Sequence, residues 1–322
     1  VIDKYSGLLE KEIRRQKFGR QPVSLYEPIR YLMSLGGKRL RPMLTLLAYQ
    51  LFKDDPREVI KYAVAVEAFH NFTLMHDDIM DKAPLRRGQP TVHKKWNMST
   101  AILSGDVMLV RVYDMLLDID DGKLKTIYRA FNKCATEVCE GQQWDMEFET
   151  HRSVTELEYL NMIRLKTAAL LGFSLELGAI LAGASKSDCD HLRDFGVNIG
   201  IGFQLKDDLL DAYADSDKFG KVVGGDIVAN KKTFLLIKSL ALADKRQRKE
   251  LDHWMSLTKF KKTEKVSAVK KIYDALSIPE LTEKKINSYF KKGFSNLEQV
   301  NCSSKTKSVL HRYTSQLIGR ES

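Results

Sequence analysis

Two groups of aspartates share one spacing, Asp77-Asp78-Ile79-Met80-Asp81 and Asp207-Asp208-Leu209-Leu210-Asp211. On a helix, residues four apart lie on one face about a turn from each other, so Asp77 and Asp81 project side by side, as do Asp207 and Asp211. Stacked carboxylates repel unless a cation sits between them. The apolar flank of Phe72, Leu74, Met75 and Ile79 makes that repulsion worse than in water. A hard divalent ion removes it. Magnesium takes oxygen ligands, keeps several waters and is usually completed by phosphate oxygens, so sparse carboxylates on two helices suit a clamp on one diphosphate. A single cluster reads equally well as a solvated acidic helix face. Two clusters, each inside an apolar helix, favour the metal.

Such a site needs an anion, and cations recur beside glycines in Gly36-Gly37-Lys38-Arg39-Leu40-Arg41-Pro42 and Arg86-Arg87-Gly88. Glycine lets the backbone approach a phosphate, and the planar fork of arginine matches phosphate oxygens. His70 precedes Asp77 by two helical turns on the same stripe, which separates it from an ordinary core histidine.

The elements that must position these residues read as helices. Apolar residues recur at three- and four-residue spacing almost throughout, and alternating β-branched runs are scarce. The expected class is all-α, one domain over residues 1–322 with roughly ten packed helices. Pro42 opens a helix through Leu51, and Asp54-Asp55-Pro56 ends it and starts another that reaches about Asp81 with the first cluster. Further helices are expected over 100–117, 124–147, 154–183, 187–214, 231–242, 263–275 and 280–298. A hydrophobic share of 43% over 322 residues is enough for one large core.

The chain carries 52 Lys+Arg against 42 Asp+Glu, a net charge of +10. Much of the excess lies in 244–250 and 259–265, mixed with acids at helical spacing. That pattern reads as solvated helix faces, and nucleic acid is not an expected partner. Cys134, Cys139, Cys189 and Cys302 show neither a metal-ligand spacing nor the density of a disulfide scaffold, so buried or half-buried thiols in a reducing compartment are expected. No uninterrupted apolar run approaches the ~20 residues of a bilayer span, so no integral membrane segment is expected. The expected location is the cytoplasm.

A set of landmarks then follows one order along most of the chain: GGKRLRP at 36–42, His70, HDDIMD at 76–81, LRRG at 85–88, SGD at 104–106, GQQWD at 141–145, KTAAL at 166–170, FQLKDDLLD at 203–211, FGK at 219–221 and GDIVANKKT at 225–233. In these the chain resembles the trans-type polyprenyl (isoprenyl) diphosphate synthases. The resemblance implies a helical bundle around a central cavity, the isoprenoid synthase fold, and a homodimer built on helices such as 100–117 and 124–147. It also implies a reaction in which an allylic diphosphate ionises, isopentenyl diphosphate attacks the cation and a proton is lost, with the released diphosphate as the proton acceptor.

Carried over residue by residue, magnesium, three ions with substrate bound, falls to Asp77, Asp81 and Asp207. Asp78, Asp208 and Asp211 fall behind them. Lys38, Arg41, His70 and Arg87 are implied for isopentenyl diphosphate, and Arg86, Lys166, Thr167, Gln204, Lys221 and Lys231 for the allylic diphosphate. Thr167 and Gln204 also offer oxygens to the cation. Lys221 also has a plainer reading, as a loop lysine, and His76 is left out of the site, read as a hydrogen-bonding partner within its own helix. Asn230 stands where the family often has glycine.

Product length in the family depends on residues four and five before the first aspartate, here Thr73 and Phe72, with Phe69 below them. A large residue at the fifth position and a small one at the fourth resemble geranylgeranyl-type synthases, with a farnesyl-type product as the alternative. A terpene cyclase fits less well, since it lacks a second DDxxD and has no use for Lys38, Arg41 and Arg87. A non-catalytic partner subunit of a prenyl synthase is the rival from another class, distinguished by isopentenyl diphosphate incorporation with and without magnesium. A nucleic-acid binder would instead show salt-dependent binding to DNA.

Overall fold

A computed structural model describes residues 1–214 and 224–319. In chain order its elements are α1 (Ile2–Arg15), α2 (Val23–Ser34), α3 (Leu40–Gln50), a 3₁₀ turn (Pro56–Val59), α4 (Ile60–Met80), β1 (Leu85–Arg86), β2 (Gln89–Pro90), α5 (Val92–Lys95), α6 (Met98–Leu116), α7 (Asp121–Thr150), α8 (Glu156–Ile163), a π turn (Arg164–Ala168), α9 (Ala169–Ala182) and α10 (Lys186–Tyr213). They continue with α11 (Gly225–Val228), α12 (Phe234–Leu242), α13 (Lys245–Ser256), α14 (Lys262–Ala275), α15 (Ile278–Gln299) and α16 (Ser304–Gly319). The all-α expectation holds, with more and shorter helices than periodicity alone suggests. The two-residue strands form a hairpin in which Leu85 faces Pro90 and Arg86 faces Gln89.

Local chemistry sets many of the boundaries. Asp55 accepts the Arg57 N–H at 3.1 Å with Pro56 next to it, and this cap starts the run into α4. Thr155 with Glu158 and Asp244 with Gln247 form capping boxes that start α8 and α13. The basic run at 244–250 thus belongs to the mostly exposed α13.

Two expected helices are corrected. The span 154–183 is not one α-helix, because the π turn at Arg164–Ala168 separates α8 from α9. The segment Glu156–Ala182 has the length and apolarity of a membrane span by composition, yet 78% of its most apolar window is buried inside the protein, as in a core helix. Lys231 does not begin a helix. Asn230 before it has φ +55°, and α12 starts only at Phe234 behind Thr233. A left-handed residue ends one helix and cannot sit inside the next.

The described residues form two compact units. One comprises Val1–Cys134, Leu170–Arg193 and Gln299–Tyr313, and the other the described residues of Ala135–Ala169, Asp194–Glu298 and Thr314–Ser322. In the first unit α3 is buried without a break from Pro42 to Tyr49, as expected of a helix that is apolar all round. In the second, Ala212, Ile227, Leu235, Leu251, Val269 and Tyr273 share one core cluster, which packs the end of α10 with α11 to α14.

Candidate active site

Both aspartate groups occupy the last turns of long helices. Asp77 and Asp78 close α4, Asp81 is its C-cap, and Asp207, Asp208 and Asp211 lie near the end of α10. The C-terminus of a helix is its negative end, with unpaired carbonyls. Carboxylates there are disfavoured on their own and form strong sites for cations.

In the first unit the three aspartates divide by burial. Asp78 is 2% exposed and Asp81 is exposed. Arg86, on β1, donates from Nε to both Asp78 oxygens at 2.9 and 2.8 Å, and its Nη2 lies 3.6 Å from Asp77. Burial raises the Asp78 carboxyl above its usual range, and the Arg86 hydrogen bonds oppose that rise. The expected allylic-diphosphate arginine is therefore also the clasp of the first cluster, with Asp78 buried against it, Asp77 half-buried and Asp81 exposed.

The basic loop at 36–42 is built on a residue that sequence reasoning left out. Arg39, itself buried, binds Glu67 at 2.7 Å, Glu10 at 2.8 Å and the Met33 carbonyl at 2.7 Å. Its φ is +45°, Gly36 and Gly37 have φ +76° and +135°, and in the hairpin Arg87 has φ +53°. A Cβ on Gly37 would sit 2.8 Å from the Arg87 guanidinium carbon, so glycine is what lets the two basic segments meet. Arg87 donates to the Gly36 carbonyl.

Arg41 Nη1 lies 3.0 Å from His70 Nε2. Arginine only donates, so this nitrogen accepts and the imidazole carries its proton on Nδ1. Burial first, then Arg41, Arg87, Arg86 and Arg39, hold His70 well below its ordinary pKa. Burial pushes Arg41 down to about 10, which leaves it charged at neutral pH. Its Nε is buried without a hydrogen-bond partner among the described residues. Lys38 is exposed on the same loop.

His76 does not bond within its own helix as expected. Its Nε2 lies 3.2 Å from the Ile102 carbonyl on α6, and Gly105 leaves room for the ring. Below the aspartates, Phe72 lies 5.7 Å from Phe69, and Phe69 meets Phe131 of α7 edge-on at 5.1 Å. Phe131 continues to Phe173 of α9 at 5.6 Å. The expected floor of Phe69, Phe72 and Thr73 thus extends into aromatic residues that no local motif marks. Thr73 donates its hydroxyl to the His70 carbonyl at 2.8 Å.

In the second unit the π turn presents Lys166 and Thr167. A Cβ on Gly141 of α7 would lie 2.6 Å from Lys166 Cα, and one on Gly200 of α10 would lie 2.7 Å from Ala168 Cα. Two glycines therefore let two helix backbones reach the turn. A π turn inside a helix re-aims side chains and often marks a functional site. Lys166 binds Asp145 at 2.6 Å. Thr167 donates to Gln204 Oε1 at 3.1 Å, Gln204 Nε2 donates to Asp208 at 3.0 Å, and the Tyr159 hydroxyl donates to the other Asp208 oxygen. Burial first, then Asp226, pushes Asp208 up to about 7. Asp207 is exposed. The second cluster divides as the first does, with one aspartate sunk in a network and its neighbour outside.

Asp211 accepts the Asp226 N–H at 2.9 Å, which ties the end of α10 to the start of α11. Burial first, then Asp211, Asp207 and Asp145, pushes Asp226 up to about 6 against the pull of Lys231. Lys231 is exposed in the loop after α11. Lys221 lies outside the described residues. Asp145, Tyr159 and Asp226 were not expected as site residues; only Asp145 and Asp226 fell within landmark segments.

Among the described residues no three ligating side chains converge as a metal cage. The donors present are hard carboxylate oxygens, two exposed or half-buried aspartates per cluster beside a buried one. That set fits magnesium, which uses few protein oxygens and takes the rest from water and phosphate. Among the four free cysteines, Cys134 and Cys189 are buried and Cys302 is half-buried as expected, whereas Cys139 is exposed.

A family model described as polyprenyl synthetase matches residues 22–276. The chain is 43% identical over 221 residues to a geranylgeranyl diphosphate synthase of Methanosarcina mazei, covering 68% of each. It is 44% identical over 228 residues to a short chain isoprenyl diphosphate synthase of Methanocaldococcus jannaschii, covering 70% of this chain and 69% of that one. Among solved structures, a crystal structure of a geranylgeranyl pyrophosphate synthase superposes with a TM-score of 0.95 at 42% identity, over 100% of this chain and 99% of the other.

Proposed function

This chain belongs to the polyprenyl synthetase family, and from that premise we propose that it is a magnesium-dependent prenyltransferase. It joins isopentenyl diphosphate head-to-tail to an allylic diphosphate and releases a short-chain trans-prenyl diphosphate, geranylgeranyl diphosphate. The observation that carries the substrate assignment is the basic group of the first unit. Arg41 keeps a buried Nε without a hydrogen-bond partner among the described residues, beside a neutral His70, and Lys38 and Arg87 add charge on adjoining backbone. An incoming diphosphate supplies the missing acceptor and recovers the cost of desolvating the guanidinium.

Asp77, Asp81 and Asp207 would hold magnesium, which when bound would neutralise charge on the departing diphosphate. Arg86, Lys166 and Lys231 bind the allylic diphosphate. Asp145 sets Lys166, and Asp78 sets Arg86. The allylic C–O bond breaks with its electron pair leaving on diphosphate. The oxygens of Thr167 and Gln204, oriented by Asp208 and Tyr159, face the resulting carbocation. Lys38, Arg41 and Arg87 hold isopentenyl diphosphate, whose double-bond electrons form the new C–C bond, and the proton lost afterwards goes to a diphosphate oxygen. His70 positions Arg41 and remains neutral.

Both compact units serve one polyprenyl synthase domain over residues 1–322, a reading supported by the end-to-end superposition on a solved synthase. The chain works as a homodimer in the cytoplasm, with the apolar face of α6 as the subunit contact. Leu103 and Val110 are exposed there at 56% and 57%, two turns apart. The test is incorporation of labelled isopentenyl diphosphate with dimethylallyl, geranyl and farnesyl diphosphates as starters. Activity that disappears with chelator, returns with magnesium and yields geranylgeranyl diphosphate is expected. No incorporation with any starter would refute the enzyme and favour a non-catalytic subunit.

A further inference from the structure

Lys265 on α14 is 1% exposed, and among the described residues no carboxylate lies within ion-pair distance of it. An ammonium buried in this way needs other partners. It donates to Asn230 Oδ1 at 2.6 Å and the Val228 carbonyl at 3.2 Å, and it lies 4.4 Å from the centre of the Phe260 ring. All three are neutral. A cation held by uncharged oxygens and a ring face is sensitive to the position of each.

The partners are confined. Asn230 has φ +55°, and its amide nitrogen donates to the Met255 carbonyl of α13 at 2.9 Å, which leaves Oδ1 directed to Lys265. The loop around it is closed by the Lys231 N–H on the Asp226 carbonyl and the Thr233 N–H on the Lys231 carbonyl, both at 2.9 Å. At its other end a Cβ on Gly224 would lie 2.7 Å from Val266, the neighbour of Lys265. Helix α14 therefore grips the segment 224–233 at both ends. Lys265, Asn230, Lys231, Asp226 and Asp208 also line one internal cavity of about 10 Å³, room for about one water.

We infer that Lys265 is a positioning residue for the allylic-diphosphate site, acting through Asn230 to hold the 224–233 loop and, with it, Lys231 and Asp226. Lys265 touches no substrate. Its effect passes through the loop backbone, because Asn230 and Lys231 are adjacent and the hydrogen bonds around them leave little slack. The inference rests on the reading of Lys231 as a diphosphate ligand.

Lys265→Met removes the ammonium and keeps most of the apolar stem, and Asn230→Gly removes the acceptor while tolerating the left-handed backbone. Either change is expected to speed amide exchange in 224–233 about tenfold, the equivalent of about 1.4 kcal/mol of local opening, with no change in residues 60–80. The KM for the allylic diphosphate should rise about tenfold, with the KM for isopentenyl diphosphate within about twofold of wild type. The double variant should behave as the single ones do, because both remove one interaction. Binding of inorganic diphosphate with magnesium, followed by calorimetry, should weaken in parallel. Exchange raised evenly through the unit, both KM values unchanged, or Asn230→Gly indistinguishable from wild type would overturn the inference. A wild-type protein that incorporates no isopentenyl diphosphate would defeat the enzymatic reading instead, and exchange and calorimetry would still test the latch.

Discussion

Among Arg39, Arg41, Arg86 and Arg87 a protonated imidazole would be one more cation in a half-buried setting, so His70 is neutral in the folded chain. The unfolded chain has no such constraint, and its histidine protonates near the ordinary value of about 6.5. Below that pH the unfolded state binds more protons than the folded one, so stability is fully present above about pH 6.5 and falls as pH falls, by up to about 1.4 kcal/mol per unit from this group. His70→Gln should remove that part of the slope. Denaturant titrations at pH 6.5 and pH 5.5 should give a smaller difference for the variant, and an equal difference would sink the assignment. The same logic of burial explains why adjacent aspartates differ. Asp78 and Asp208 lie inside, held by Arg86 and by Gln204 with Tyr159, whereas Asp77 is half-buried and Asp207 exposed.

Helices place these side chains only where their backbones come close enough. Gly141 allows α7 to lie against the π turn that carries Lys166 and Thr167. Gly141→Ala should therefore force the two backbones apart, at a cost of about 1–3 kcal/mol in stability. It should also raise the KM for the allylic diphosphate above any change for isopentenyl diphosphate; equal KM changes for the two substrates would remove the turn from the site. The aromatic column from Phe72 through Phe69 to Phe131 and Phe173 spans three helices. Only its top ring is half-buried, so Phe72→Ala should open one layer and lengthen the product by at least one isoprene unit, read by chromatography of radiolabelled products. An unchanged distribution would refute Phe72 as part of the floor, while Phe131 should limit how far the longer product grows.

At the scale of the whole molecule, the chain exposes an apolar stripe that a monomer has little reason to keep. Leu103, Val110 and Leu117 recur every two turns along and just past α6, each more than half exposed, and apolar residues repeated on one helix face suit an interaction site. Light scattering should give about twice the chain mass of 36.8 kDa. Leu103→Glu with Val110→Glu should weaken association at least tenfold, on the order of 1.4 kcal/mol, without a fall in helical content. A wild-type monomer would exclude the proposed homodimer. Part of the net charge of +10 has a plainer account, since the basic residues of α13 and α14 other than Lys265 lie on exposed or half-buried faces.

The all-α class, the Asp55-Pro56 start of the run into α4, and the position of both aspartate groups on helices were all legible in the sequence. Each depends on interactions within one or two turns: a spacing of four, a cap beside a proline, an apolar stripe. The broken helix at Arg164–Ala168 was not legible, because it depends on glycines in two other helices. Nor was the division of labour within each cluster. Asp77 and Asp78 are neighbours of one chemical type, and only packing sinks one of them against Arg86. Arg39 reads as one more basic residue in its motif until Glu67 and Glu10 converge on it. Lys265 reads as one lysine in a charged run until α14 turns it inward onto Asn230. The sequence by itself determined which residue types were available and how they repeat along a helix. Tertiary structure alone decided which charges are desolvated and paired, because the cost of burying a charge depends on partners tens of residues away.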